Sequence, residues 1–247
     1  MLFHVIHGII GQYIVHYSLV RRNFMEKYDI SPFVKWAGGK RQLLNDIKQR
    51  MPENYNNYIE PFLGGGAVLL DLQPKVSVVN DINKALINTY KQIKSCPEEI
   101  SEGLQALDVE ISTGNKVVYY DKRQHFNYKL LKSEYDIELA CLLIFLNKHC
   151  FNGLYRVNSK GLFNVPYNNS KRISFDIDNI NGISKYLQNV EILQGDFSVA
   201  CDRAEKGDFV FIDSPYAPVK DDSFESYTKE GFDKESHIRL AMKYKEL

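Results

Sequence analysis

The stretch "NNYIEPFLGGGAVLLDL", followed at once by "KVSVVNDIN", constrains the fold more than any other part of this 247-residue chain. A short apolar run around Tyr58 and Ile59 stops at Gly64, Gly65 and Gly66, a helix begins, and a second run rich in β-branched residues ends at Asp81. Strand, glycine turn, helix and strand in so few residues predict a βαβ unit, with parallel strands and a helix crossing one face of the sheet. Two more strand candidates, "VEILQG" and "DFVFID", arrive only after a long interval, which predicts an α/β sheet whose halves are separated by an insert.

That interval changes character partway. From Asn83 to about Leu146 the pattern is helical, and "DIELACLLIFLNKHC" is apolar enough to be buried on most of its surface. Residues 147–172, "NKHCFNGLYRVNSKGLFNVPYNNSKR", are irregular and rich in Asn, Gly and aromatic rings. A short helical stretch follows, and "DKESHIRLAMKYKEL" ends the sequence as a helix. At the other end, residues 1–20 hold no Lys, Arg, Asp or Glu, but three histidines, Gln12 and two glycines interrupt the apolar run. With no basic region before it and no small-residue cleavage site after it, this segment is expected to be an N-terminal extension and not a membrane anchor.

Charge narrows the partners. Lys plus Arg and Asp plus Glu both number 31, so the chain as a whole attracts neither nucleic acid nor an anionic membrane, and such contacts require a local patch. Residues 147–172 supply one: Lys148, Arg156, Lys160, Lys171 and Arg172 with no acid, interleaved with Phe151, Tyr155, Phe163 and Tyr167. Cations neutralise phosphates, Arg can read guanine through two hydrogen bonds, and rings or Asn can wedge into a base stack. A solvated loop with aromatic anchors explains the same composition. Cys96, Cys141, Cys150 and Cys201 form no CxxC pair, which points to reduced thiols in a cytoplasmic protein with no metal site.

Three further segments carry chemistry. The glycines after the first strand let a ligand approach the backbone, and Asp81 at the next strand end can hold ribose hydroxyls, although ordinary tight packing also accounts for them. "FVKWAGGKRQLL" places Trp36 and Lys40 around a glycine turn before a helix, either as a plain helix start or as a lid whose Lys40 meets a carboxylate. "DSPYAP" ends the last strand with Asp213, Ser214, Pro215 and Tyr216. There a carboxylate and the next carbonyl can accept both protons of an aromatic amine, favouring its nucleophilic, pyramidal form, while the ring stacks on the base.

Together these segments, in this order, resemble the Dam-type, α-class DNA adenine methyltransferases from about Pro32 to the last residue. The resemblance implies a Rossmann-like sheet that binds S-adenosylmethionine (AdoMet), with a mainly helical target-recognition insert. It divides the chain into an extension at residues 1–30, a first methyltransferase part at 31–90, the insert at 91–190 and a second, catalytic part at 191–247. It implies cofactor contacts at Trp36, Lys40, Glu60, Phe62, Gly64, Gly66, Asp81 and Asp213, and catalysis at Asp213, Ser214, Pro215 and Tyr216. Contacts to double-stranded DNA are implied at Asn152, Leu154, Arg156 and Pro166, with Lys148 and Lys171 meeting phosphates. The target is then an adenine, in GATC for the best-known members, flipped from the duplex and methylated directly at its 6-amino group. A restriction endonuclease acting on the same site is an implied partner.

Two departures accompany the resemblance. Ser214 stands where the family has a proline, which leaves the backbone acceptor in place and costs only stiffness. Family members also continue with more strands after the final helix, so the sheet is expected to be incomplete on its C-terminal side. Two other readings stay open at this point: a remnant that binds DNA or AdoMet without turnover, and a Rossmann oxidoreductase with a basic insert, disfavoured by the absent dinucleotide fingerprint.

Overall fold

The computed structural model describes residues 27–170, 172–215 and 232–247. Most of the N-terminal extension, Lys171 and Tyr216 lie outside the described residues. The predicted βαβ unit is present: β1 (Tyr58–Glu60), α2 (Ala67–Leu72) and β2 (Ser77–Asp81), preceded by a 3₁₀ turn at Arg41–Leu43 and α1 (Leu44–Arg50). Among the described residues, β3 (Val190–Gln194) and β4 (Phe209–Val210) join them in a four-stranded, all-parallel sheet in the order β3-β2-β1-β4. Parallel sheets bury both faces, and Tyr58, Ile59 and Glu60 are accordingly all buried.

Between β2 and β3 run α3 (Lys84–Ser95), α4 (Pro97–Ile111), α5 (Lys116–Lys132), α6 (Ile137–His149) and α7 (Ile177–Leu187). Their starts follow from local chemistry. Asn83, Asn115, Asp136 and Asp176 each accept a hydrogen bond from a first-turn amide, and Pro97 occupies the first turn of α4, where no amide partner is lost. As the apolar run predicts, Leu139 to Asn147 are buried without a break, because α3, α4 and α5 all pack on α6. The buried side chains of these helices and of the sheet form one continuous cluster. On the other side, α8 (Ser198–Cys201) and α9 (Lys234–Glu246) build a small cluster of Phe197, Cys201 and Leu240, with Phe62, Ile212 and Phe232 against it.

The strand order fixes where a ligand can sit. From β1 the chain steps to β2 and then β3 on one side, whereas β4 pairs with the opposite edge of β1. The connections diverge between β1 and β4, and the crevice at the carboxyl ends of strands around such a switch point is where open α/β sheets bind ligands.

Candidate active site

Glu60 closes β1, Asp81 closes β2, and Asp213 follows β4 by three residues, so in-register parallel pairing brings three carboxylates to one edge of the sheet. Glu60 is buried, and its Oε2 accepts the Tyr58 hydroxyl at 2.9 Å. Burial drives its pKa up to about 8; the Tyr58 bond opposes this, and the nearby charges of Asp213 and Asp81 add to it. Burial also raises Asp81, against the hydrogen bonds from the Asn83 and Gly64 amides.

Those two bonds show what Asp81 does in the fold. Its Oδ2 accepts Gly64 N–H at 2.9 Å and its Oδ1 accepts Asn83 N–H at 2.8 Å, so one side chain fastens the glycine turn to the start of α3. The Ile82 amide bonds this carboxylate as well, and its acceptor positions are not all filled by these three amides. The glycines have a packing duty as well. A Cβ on Gly64 would lie 2.9 Å from Trp36 Cδ1, and one on Gly66 would lie 2.5 Å from the Tyr90 hydroxyl. Gly66 also has φ +66°, in the left-handed region that side chains disfavour. The turn is therefore shaped by Trp36 and Tyr90, and the Tyr90 hydroxyl donates to the Gly64 carbonyl at 3.2 Å.

In the "KWAGGK" segment Lys40 both precedes the helix start at Arg41–Leu43 and meets an acid. Lys40 Nζ lies 2.7 Å from Asp213 Oδ2, with both side chains mostly shielded from solvent, and also donates to the Gly38 carbonyl at 2.6 Å. Trp36, half-buried, stacks on Tyr155 with ring centroids 4.8 Å apart and planes at 21°. Asp213, Ser214 and Pro215 are partly buried where they leave β4. Phe62, next to the glycine turn, stacks on Phe197 at 5.6 Å. Asp196 and Phe197, just past β3, belong to this edge and were not singled out from the sequence. Asp196 accepts Arg239 at 2.6 Å; desolvation pushes its carboxyl up, but this bond, the Ser198 hydrogen bonds and the Arg239 charge together hold it below the usual range. The signal was an acid directly after a predicted strand in "VEILQGDF", the same cue that drew attention to Asp81.

The basic segment departs from expectation in one respect. Tyr155 and Phe163 are buried in the core and are not part of a surface, whereas Phe151 is exposed. The reason is a two-residue alternation: Gly153, Tyr155 and Val157 face in, Leu154 and Arg156 face out. Antiparallel bridges Val157–Phe163 and Cys150–Tyr167 close the segment into a hairpin-like loop, and Asn158 ties its tip by accepting the Lys160 and Leu162 amides. Asn152, Leu154, Arg156 and Pro166 are all exposed, and the Phe151 amide bonds the Pro166 carbonyl at 2.8 Å, which draws the two arms together. Arg156 is steadied by its Nε–H donating to Asn164 Oδ1 at 3.0 Å. Lys148 is exposed at the end of α6; partial desolvation and the charges of Arg41 and Lys35 hold its pKa below the usual lysine value. Lys35, Arg41 and Lys148 thus bring positive charge from two separate segments to one surface.

Burial pushes the thiols of Cys141 and Cys150 up to about 12, so neither is a ready nucleophile. No described helix is long and apolar enough to cross a membrane.

The chain is 43% identical over 234 residues to the Type II methyltransferase M1.LlaDCHI of Lactococcus lactis subsp. cremoris, an alignment covering 93% of this chain and 80% of that protein. It is 42% identical over 235 residues to the Type II methyltransferase M.MjaIII of Methanocaldococcus jannaschii, covering 89% and 81%. It is 34% identical over 210 residues to the DNA adenine methylase of Escherichia coli, covering 85% and 73%. The family model of the D12 class N6 adenine-specific DNA methyltransferases matches residues 36–247, from Trp36 through the glycine turn and the Asp213 segment to the end. Parallel sheet, carboxylate edge and basic loop are accordingly those of an enzyme, and the chain belongs to the D12 class of N6 adenine-specific DNA methyltransferases.

Proposed function

We propose that the protein uses AdoMet to methylate the 6-amino group of an adenine flipped out of a specific duplex site, and that the Lys40–Asp213 pair marks the reacting centre. That pair carries the reading: it joins the segment before the sheet to the acid beyond β4 at the switch point, inside the region matched by the family.

The residues at this edge suit such a cofactor. Asp81 and Asp213 favour a ligand with positive charge, Glu60, kept protonated by burial, offers a hydrogen bond, Lys40 favours a carboxylate, and Trp36 offers an aromatic wall. Phe62, Gly64 and Gly66 shape the turn between them. When bound, AdoMet supplies a methyl group on a positively charged sulfur. Asp213 then accepts a hydrogen bond from the target amine, and the Ser214 carbonyl accepts the second. Pro215 biases Ser214 to an extended backbone, which offers that carbonyl despite the serine. Tyr216 stacks on the extruded base. On the DNA side, Arg156 reads a guanine, Asn152, Leu154 and Pro166 meet the duplex beside it, and Lys148 and Lys171 meet phosphates.

In this reading residues 31–90 and 191–247 form the catalytic part, 91–190 the target-recognition insert, and 1–30 an extension. GATC is the first site to test, the cytoplasm the site of action, and a restriction endonuclease of the same specificity the functional partner, supported by two relatives named Type II methyltransferases. Calorimetric titration of AdoMet into the protein and into Lys40→Ala and Asp81→Ala tests the cofactor assignment. Both substitutions are expected to weaken binding at least tenfold, and unchanged affinity in both rejects it.

A further inference from the structure

Asn147 has no part in the site described above, yet its side chain is 1% exposed and makes three hydrogen bonds. Its Oδ1 accepts the Lys35 amide at 2.8 Å, and its Nδ2 donates to the Lys35 carbonyl at 2.9 Å and to the Gly153 carbonyl at 3.0 Å. A side-chain amide that meets both polar groups of one backbone residue fixes that residue as a neighbouring strand would. Lys35 directly precedes Trp36, and Gly153 lies between Asn152 and Leu154. Asn147 therefore joins the segment of Trp36 and Lys40 to the basic loop at a single buried point.

Two independent contacts reinforce the join. Trp36 stacks on Tyr155 of the loop, whose exposed neighbours in sequence are Leu154 and Arg156. Gly153 packs so closely on Lys35 that an added Cβ would lie 2.5 Å from Lys35 Cδ, and its φ of +66° disfavours any side chain. Contacts thus run from the loop to Lys35 through the Asn147 hydrogen bonds and to Trp36 through a ring stack, and Lys40, four residues on from Trp36, pairs with Asp213. Contacts that span two sites in this way can couple their binding free energies, and such coupling is reciprocal.

We propose that Asn147 is a positioning residue that couples DNA recognition by the 150–167 loop to cofactor binding by Trp36 and Lys40. The inference rests on the assignment of those two sites under Proposed function. Trp36 is the chain's one tryptophan, so its emission reports on the joint directly.

The experiment measures AdoMet affinity with and without a methylatable duplex, and duplex affinity with and without AdoMet, for the wild type, Asn147→Ala and Asn147→Asp. The wild type is expected to show the same coupling in both directions, on the order of 5- to 150-fold. Asn147→Asp keeps the acceptor for the Lys35 amide but loses both donated bonds, so in both variants coupling should fall to within about twofold of unity, with AdoMet affinity in the absence of DNA changing less than about threefold. The change in Trp36 emission on adding duplex should shrink in parallel, which a purely structural role would not require. Should both Asn147 variants fail to fold, Gly153→Ala presses on the same Lys35 from the loop side and is expected to lower coupling too. Wild-type coupling near unity, or coupling and emission change retained in a folded variant, overturns the proposal. Lys40→Ala and Asp81→Ala serve as controls: if they bind AdoMet normally the site assignment has failed, whereas if they weaken binding while Asn147 variants stay coupled, only the role of Asn147 has failed.

Discussion

Lys40 Nζ sits 2.7 Å from Asp213 Oδ2, joining the segment before β1 to the acid after β4. Because both side chains are largely shielded, removing either leaves a charge without its counterion in a poorly solvated place. Asp213→Asn retains shape but loses the charge that strengthens the bond to the amine, and charged hydrogen bonds contribute about 1.5 to 3 kcal/mol. The expected result is a loss of about 10- to 100-fold or more in methyl transfer. Single-turnover rates on a cognate duplex check this, and a rate within twofold of wild type would remove Asp213 from the chemistry.

The pH dependence of stability should carry the signature of Glu60. Burial first, with the charges of Asp213 and Asp81 adding to it, pushes its carboxyl up to about 8 from 4.5, so the folded protein keeps a proton that the unfolded chain loses. That contribution is fully present below about pH 4.5 and is lost progressively as the pH rises through about 8, a change of a few kcal/mol at most. Glu60→Gln keeps an oxygen for the Tyr58 hydroxyl and cannot ionise. Its Tm should match wild type near pH 5 and exceed it at pH 8.5; parallel Tm profiles for the two proteins would contradict this.

The glycine turn makes a steric prediction. In Gly66→Ala the new methyl would meet the Tyr90 hydroxyl at 2.5 Å, at a φ of +66°. Left-handed strain costs about 1 to 2 kcal/mol and overpacking about 1 to 3. Adding Tyr90→Phe should recover only the overpacking part. Chemical denaturation of the two variants measures the split, and full recovery in the double variant would show that backbone strain contributes nothing.

How far the sequence discloses this site depends on whether a signal lies within one segment. The βαβ unit was legible because strand, glycines and helix are contiguous, and the expectation that Lys40 meets a carboxylate was fulfilled by Asp213. The inward turn of Tyr155 was written in the alternation of "GLYRV", but an acid-free composition draws attention to charge and not to which face a ring occupies. The packing of Trp36 into the space left by Gly64, and the bonds of Asn147 to Lys35, join segments far apart in sequence, and neither residue type announces its partner. Asp81 was read toward a ligand; that its two oxygens already hold the Gly64 and Asn83 amides is a property of the folded turn.

Arg156 and Lys148 should fail in different ways. Arg156 is exposed on the loop and steadied by Asn164, placing a planar fork where it can meet a base edge. Arg156→Ala should cost about 1 to 3 kcal/mol on the cognate duplex and much less on one with a guanine replaced. Lys148→Ala should weaken both duplexes alike and reduce the salt slope by about one. Equal losses for Arg156→Ala on both duplexes would assign it to phosphate binding.

The most direct measurement is the identity of the product base. Duplex DNA containing GATC and control sites is incubated with the purified protein and AdoMet, digested to nucleosides and analysed by mass spectrometry, alongside Asp213→Ala. The expected result is N6-methyl-2′-deoxyadenosine in the wild-type digest, absent with Asp213→Ala and without AdoMet. Methylated 2′-deoxycytidine in its place, or N6-methyl-2′-deoxyadenosine formed equally well by folded Asp213→Ala, would contradict the assignment of Asp213 and its edge of the sheet as an adenine-methylating site.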